Sequence, residues 1–242
     1  MKLITFNIRT ALAADGANSW QFRRDFVYEY LLRSNADIIC LQEVVPAVKK
    51  ELATLLENAY GCVGEGRLAE SKEYDEINLV LYKKSVFELL SHGHFWLSDT
   101  PDVAGSRYET QIHWPRTCTH VTLKAENGVY NIFATHLDNE DESAREKGLN
   151  LILSRAGGSG KTIICGDFND TPDHVEKWVG GRFADLTQGL PPTYTEYGNV
   201  YKKIDYIFAS KAVAQLSKSV CDEQIKDGLY ISDHFPVFVE II

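Results

Sequence analysis

Apolar residues in this chain change their spacing several times, and each change marks an element. Residues 2–8 (KLITFNI) alternate in character, as a strand does. Over residues 20–33, Phe22, Phe26, Val27, Tyr30 and Leu31 fall at helical spacing, with Ser19 placed to cap the first turn. Residues 36–41 (ADIICL) run apolar without a break, the mark of a strand covered on both faces. Pro46 then opens a second helix to about Asn58, with Val48, Leu52, Leu55 and Leu56 on one side.

From Ile77 the period shortens to that of strands. INLVLY, VFELLSHGHFWL, CTHVTLKA and VYNIFATHL are short runs rich in β-branched and aromatic residues. Lys83-Lys84-Ser85 and Glu126-Asn127-Gly128 punctuate them, the latter a hairpin signal. A helical pattern returns over 140–155 and is stopped by Gly157-Gly158, and residues 161–165 form another buried strand. After a loop-rich stretch containing Pro191-Pro192, three further strands are expected at 204–209, 213–221 and 237–242. No repeat, linker or low-complexity block interrupts the chain, so residues 1–242 are expected to form one domain. Strands joined by helices alternate with hairpins. That mixture predicts an α/β fold with two sheets packed face to face and helices outside.

Composition supplies ample core material, with 44% hydrophobic residues. Charge narrows the function: 25 Lys and Arg stand against 34 Asp and Glu, a net charge of −9. A general nucleic-acid coat needs Lys and Arg to neutralise phosphates, so that class is disfavoured. A nuclease remains open, because a bound metal supplies local positive charge at an acidic site. The five cysteines show no C-x-x-C spacing, and Cys40 and Cys165 lie within apolar runs, as reduced structural thiols do. The N-terminus lacks the apolar stretch of a signal peptide, and no run approaches a membrane span. A cytoplasmic, monomeric protein with no membrane partner is expected.

The chemistry gathers where apolar runs end. TFN ends at Asn7, CLQE at Glu43, ATHLD holds His136 and Asp138, CGDFN holds Asp167 and Asn169, and SDH holds Asp233 and His234. A carboxylate at the end of a buried strand is half desolvated and needs a partner. Several such ends suggest one shared partner, and an oxygen-rich set of Glu, Asp and Asn suits a hard cation such as Mg²⁺ beside a substrate phosphate. Each motif also has a local reading. Glu43 fits the first turn of the helix at Pro46, Asp167-Phe168-Asn169 fits an Asx-type turn, and Ser232-Asp233 fits a cap. His92, His113, His120 and His174 read as structural or surface residues.

Two decoys fail. GGSGKT at 157–162 lacks the leading glycine of a phosphate loop, where Arg155 stands, and precedes a strand instead of following one. GDFND at 166–170 fits one motif of the dinuclear metallophosphoesterases, but the D-x-H and G-N-H-[DE] segments of that class are missing.

Taken in order, TFN, LQE, THLD, GDFN, IDYIF and SDHFP resemble the endonuclease/exonuclease/phosphatase superfamily, over residues 5–236. FWLSDTP at 95–101 further resembles a subgroup of small bacterial members. The resemblance implies a four-layer α/β sandwich, DNase I-like, with two packed mixed sheets flanked by helices. It implies a Mg²⁺-dependent (Mn²⁺ as alternative) hydrolase of phosphate esters. Metal ligands carried over by position are Glu43, Asn7, Asp233 and Asp167. Asp167 and Asn169 match the pair at the attacking water, and His234 matches the histidine on the scissile phosphate, with Asp205 as its carboxylate. His136 matches a second histidine, and Glu76 sits where that histidine's carboxylate is expected. Arg116 and Asn7 are expected at the phosphate. A nuclease-like phosphodiesterase acting on nucleic acid is favoured. The alternatives are a phosphomonoesterase of a small sugar, inositol or nucleotide phosphate, and a binding module that kept the fold without chemistry. Trp96, Trp114, Tyr108, Tyr194 and Tyr197 lie in loops that choose the substrate, or else pack.

Overall fold

A computed structural model describes residues 1–157, 160–213 and 216–241. The strands are β1 (Lys2–Asn7), β2 (Ile38–Val44), β3 (Tyr60–Val63), β4 (Ile77–Lys83), β5 (Glu88–Trp96), β6 (Thr117–Ala125) and β7 (Gly128–His136). They continue as β8 (Lys161–Asp167), β9 (Ala184–Asp185), β10 (Asp205–Ala209), β11 (Leu216–Cys221), β12 (Ile225–Lys226), β13 (Leu229–Tyr230) and β14 (Val237–Ile241). The α-helices are α1 (Trp20–Ser34), α2 (Pro46–Leu55), α3 (Glu142–Ala156) and α4 (Pro172–Val179).

Two six-stranded mixed sheets result, ordered β11-β14-β1-β2-β4-β3 and β5-β6-β7-β8-β10-β9. Period-two alternation explains how they stack. Leu3, Ile38, Cys40, Val80 and Val239 of the first sheet point inward, against Val121, Ile132, Ile163, Cys165 and Ile207 of the second. Their neighbours Ile4, Phe6, Ile39 and Leu41 point outward onto Val27, Leu31, Val48 and Leu52 of α1 and α2. On the far side Phe133, Ile164 and Phe208 meet Leu149, Ile152, Val175 and Trp178 of α3 and α4. These are the four layers expected. A strand buried on both faces has to be apolar on both, which is why the runs at β2 and β8 read as continuous.

In each sheet one parallel pair, β1 with β2 and β7 with β8, is flanked by antiparallel strands. The hairpin at 126–127 pairs Ala125 with Gly128 as predicted. Helix α3 begins one residue after Asp141, whose carboxylate accepts from the Ser143 and Ala144 amides.

Several local expectations are corrected. Phe22 does not join the buried face of α1; it is 57% exposed, and Arg23 is wholly buried in its place. The guanidinium of Arg23 donates to the carbonyls of Ile8, Asn18, Arg9 and Ile231, so a cation serves main-chain acceptors that an apolar side chain cannot. Ser19 flanks α1 without a capping side-chain bond. Helix α2 ends at Leu55, which is exposed, and β3 follows a turn, where the apolar pattern carried the helix to about Asn58. The loop-rich stretch contains α4, opened by Pro172. Within the predicted strand at 213–221, residues 214–215 lie outside the described residues, as do Ile242 and residues 158–159 of the GGSGKT segment. No helix among the described residues is long and apolar enough to cross a membrane.

Candidate active site

The ends of the two parallel pairs meet at one rim between the sheets. Asn7 closes β1, Glu43 lies near the end of β2, His136 closes β7 and Asp167 closes β8. Register sets His136 and Asp205 on either side of Asp167 in the second sheet. The Asn7 amide crosses between the sheets, donating to Glu43 Oε1 (2.9 Å) and Asp167 Oδ2 (3.0 Å).

Local backbone devices aim these groups. Glu43 has φ +61° at a register shift between β2 and β4, a bulge that turns its carboxylate from the strand toward the amide of Thr10 (2.8 Å). Arg9 (φ +54°) and Asn169 (φ +52°) adopt the same left-handed region. Strain at non-glycine residues persists where surrounding bonds over-determine it. Here Arg9 N–H donates to Asn7 Oδ1 (2.9 Å), and Asn169 N–H donates to Asp167 Oδ1 (2.9 Å). Gly166 (φ +148°) lets β8 approach β7 closely, since a Cβ there would lie 1.9 Å from the Thr135 carbonyl oxygen.

Asp167 is the hub. Besides Asn7, its Oδ2 faces His136 Nε2 at 3.4 Å and His234 Nε2 at 3.5 Å. His234 Nδ1 bonds Asp205 Oδ2 at 2.9 Å. Burial pushes the Asp167 carboxyl up to about 7, against the pull of His234. Burial alone would lower His234, but Asp205 and Asp167 raise it to about 10, so it is an imidazolium at neutral pH. His136 goes the other way: burial, then Arg116 and Arg67, hold it neutral. Two imidazoles on one carboxylate therefore carry different charges.

Asp233 sits 3.7 Å from Arg9 Nε, accepts from the Ser232 hydroxyl (3.1 Å), and is raised by burial. Arg116 donates to Asn139 Oδ1 (2.6 Å) and stands 3.8 Å from Asp138. Asp138, though burial opposes it, is held below the usual carboxylate range by the Asp141 amide and by Gln111. Asn169 Nδ2 is tied to the Leu137 carbonyl (3.0 Å). Glu76 is the placement that differs: its carboxylate pairs with Arg67 Nη1 at 2.7 Å, while the carboxylate bonded near His136 is that of Asp167. The reason is proximity of a second buried cation, Arg67, which the sequence reading did not single out.

Asp167, Asp205 and His234 have possible ligand atoms within 4.8 Å of one another. A charged His234 already bonded to Asp205 has no free lone pair for a cation, so the oxygens of Glu43, Asp167 and Asp233 are the better donor set. Glu43 and Asp167 share one Asn7 amide, and Asp233, raised by burial, is raised further by the charge of Glu43, so a hard divalent cation fits the chemistry of this group.

These groups open on a cavity of about 470 Å³. Arg9, Arg67, Trp114, Tyr194 and Lys202 line it as well, none of them signalled by strand-end clusters. Among the loop aromatics, Trp114 is exposed and Tyr194 packs on His234 (ring centroids 4.9 Å), whereas Tyr108 is buried and Tyr197 bonds Asp15.

The model of the endonuclease/exonuclease/phosphatase family matches residues 4–234. An endonuclease/exonuclease/phosphatase from Bacteroides vulgatus superposes with TM-score 0.90 at 26% identity, covering 100% of this chain and 98% of that one. A mannosyl-6-phosphatase of Bacteroides thetaiotaomicron gives 0.87 at 25% identity, covering 100% and 99%. The D. rerio TDP2 complexed with single strand DNA product gives 0.77 at 17% identity, covering 100% and 98%, a likeness of fold alone. No curated protein matches the chain.

Proposed function

This chain belongs to the endonuclease/exonuclease/phosphatase family, and from that premise we propose that it is a divalent-metal-dependent hydrolase of phosphate esters. The observation that carries the proposal is the hub at Asp167, whose carboxylate meets the Asn7 amide and both imidazoles, His136 and His234, where the two sheets join.

In this reading a water attacks phosphorus in line with the ester oxygen. Asp167 orients it and takes its proton as the new P–O bond forms and the ester P–O bond breaks. Asn169 holds that carboxylate in place through its backbone N–H. The imidazolium of His234, kept charged by Asp205, donates to a non-bridging phosphoryl oxygen, as do the neutral N–H of His136 and the guanidinium of Arg116. Glu43, Asp167 and Asp233, with Asn7 beside them, would hold a Mg²⁺ or Mn²⁺ ion, which would supply Lewis-acid stabilisation of charge on the phosphoryl and leaving oxygens.

The test is a panel of aryl phosphate mono- and diesters, sugar phosphates and single-stranded oligonucleotides with Mg²⁺, Mn²⁺ or EDTA. Wild type should turn over at least one ester with metal and none with EDTA. Asp167→Asn should lose on the order of 10²-fold or more in kcat. An unaffected mutant, or EDTA-resistant hydrolysis, overturns the proposal.

A further inference from the structure

Residues 95–101 (FWLSDTP) end β5 and leave the edge of the second sheet as a tight corner. Alternation along the strand sends Phe95 and Leu97 into the apolar layer under α3, where Leu97 sits against Gly148, and turns Trp96 to the opposite side. The corner is closed by its own bonds. Trp96 N–H donates to the Pro101 carbonyl (2.9 Å), Thr100 N–H donates to Ser98 Oγ (3.0 Å), and Ser98 Oγ meets Ser106 Oγ at 2.7 Å. Two further donors leave it, and each ends on an arginine. Leu97 N–H donates to the Arg116 carbonyl (2.7 Å), carrying the β5–β6 ladder one step past Trp96 and Thr117. The Trp96 indole N–H donates to the Arg67 carbonyl (2.6 Å), which belongs to a different loop, 64–76.

Arg67 and Arg116 are both buried and both line the catalytic cavity, although exposed residues, 69–74 and 112–114, adjoin each of them. Arg67 is tied at both of its peptide groups, since its N–H donates to the Glu76 carbonyl (3.2 Å) while its carbonyl takes the indole. That hold has an electrostatic reason. Burial opposes the Arg67 cation, Glu76 supports it, and the charge of Arg116 opposes it again. Like charges repel strongly where little solvent screens them, so the main chain beneath them has to be fixed. Each guanidinium keeps a buried Nε–H without a partner, a donor left for an anion. Trp96 does not line the cavity; it faces a separate cleft of about 570 Å³ beside Lys49, Glu65 and Leu68. Any influence of its indole N–H on a substrate therefore passes through Arg67.

We propose that the Trp96-Leu97 corner is a positioning clamp, whose indole and main-chain donors fix the backbone of Arg67 and Arg116 so that both guanidiniums face an anionic group of the substrate. Trp96 is the positioning residue that joins Arg67 to the sheet. That the anion is a phosphate rests on the hydrolase reading above.

The experiment measures calorimetric binding of inorganic phosphate, and kcat/KM on the esters wild type cleaves, with Mg²⁺, for wild type, Trp96→Phe, Arg67→Gln and the double variant. Trp96→Phe keeps an aromatic ring and removes the N–H. It should weaken phosphate binding and lower kcat/KM roughly fivefold each. In the Arg67→Gln background the same substitution should change either by less than about twofold. Equal factors in both backgrounds, or Trp96→Phe binding phosphate as wild type does, overturn the clamp. A second measurement leaves Trp96 in place. In ¹⁵N-edited NMR spectra, phosphate should shift the Trp96 indole N–H resonance of wild type, and Arg67→Gln should abolish the shift. This measurement decides if circular dichroism shows Trp96→Phe unfolded, and an indole resonance indifferent to phosphate overturns the clamp. Turnover by wild type with a failed cycle sinks the clamp alone. No turnover of any ester, with the binding cycle and the indole shift as expected, sinks the hydrolase reading and leaves the clamp standing.

Discussion

Replacing Asp205 by Asn removes the charge behind His234 while keeping an oxygen that accepts from Nδ1–H. Both side chains are buried, so solvent screens the pair little. In the folded protein His234 titrates near 10, against an ordinary value of 6.5. Between those values the native state carries one proton more than the unfolded chain. That extra stability is complete below pH 6.5 and is lost as pH rises through 10, at about 1.4 kcal/mol per pH unit. From pH 7 to pH 9.5 the contribution falls by about 3 kcal/mol. In Asp205→Asn, burial is no longer offset by its strongest partner, and His234 becomes neutral near pH 7. The destabilisation caused by the mutation should therefore be largest near neutral pH and shrink by about 3 kcal/mol toward pH 9.5. Urea unfolding of wild type and mutant at pH 7, 8 and 9.5, with EDTA and reductant throughout, measures the difference directly, because groups common to both proteins cancel. A ΔΔG that stays constant within about 0.5 kcal/mol over that range refutes the charged-dyad argument.

Gly166→Ala should cost about 3 kcal/mol or more, since a Cβ 1.9 Å from the Thr135 carbonyl forces β8 from β7 at a φ that disfavours side chains; the readout is the urea midpoint. Arg23→Met should lower Tm by roughly 5–10 °C, because the carbonyls of Ile8, Arg9, Asn18 and Ile231 lose their donor while buried. An unchanged Tm would show that packing, and not those bonds, keeps Arg23 inside. Saturating Mg²⁺ should raise the Tm of wild type by several degrees and that of Glu43→Gln much less, since a ligand at about 100 times its Kd stabilises the native state by ~2.7 kcal/mol. Equal shifts in scanning calorimetry would remove Glu43 from the metal set.

The layers were legible because burial on both faces leaves an apolar run at β2 and β8, the β6–β7 hairpin leaves its turn residues at 126–128, and the crossing from one sheet to the other leaves turn formers at 83–85. Helix α4 was missed although Val175, Trp178 and Val179 fall at helical spacing after Pro172, because eight residues carry a short signal among turn formers. The buried face of α1 was misassigned at Phe22 and Arg23 for a different reason. Hydrophobic periodicity counts side chains that avoid water and cannot register main-chain carbonyls that demand a donor. Arg67 was hidden likewise: a loop arginine becomes a candidate only when Glu76 and the cavity are seen beside it.

The strand-end residues were legible for a deeper reason, which lies in topology. Chain order gives β1-α1-β2 in one sheet and β7-α3-β8 in the other, each a parallel pair joined by a helix. Such crossovers deliver the carboxyl ends of both strands to one edge, where strand geometry no longer uses the side chains for packing. Asn7 and His136 finish the first strands of the two units; Glu43 and Asp167 lie at the ends of the second. Packing the sheets face to face then joins the edges, and the Asn7 amide bridging Glu43 and Asp167 is that junction at atomic scale. Asn7 and Asp167 are 160 residues apart, so no local window contains the site. What the chain does carry locally is each half-desolvated polar end, and Glu43, His136, Asp167, Asn169, Asp233 and His234 all line one cavity.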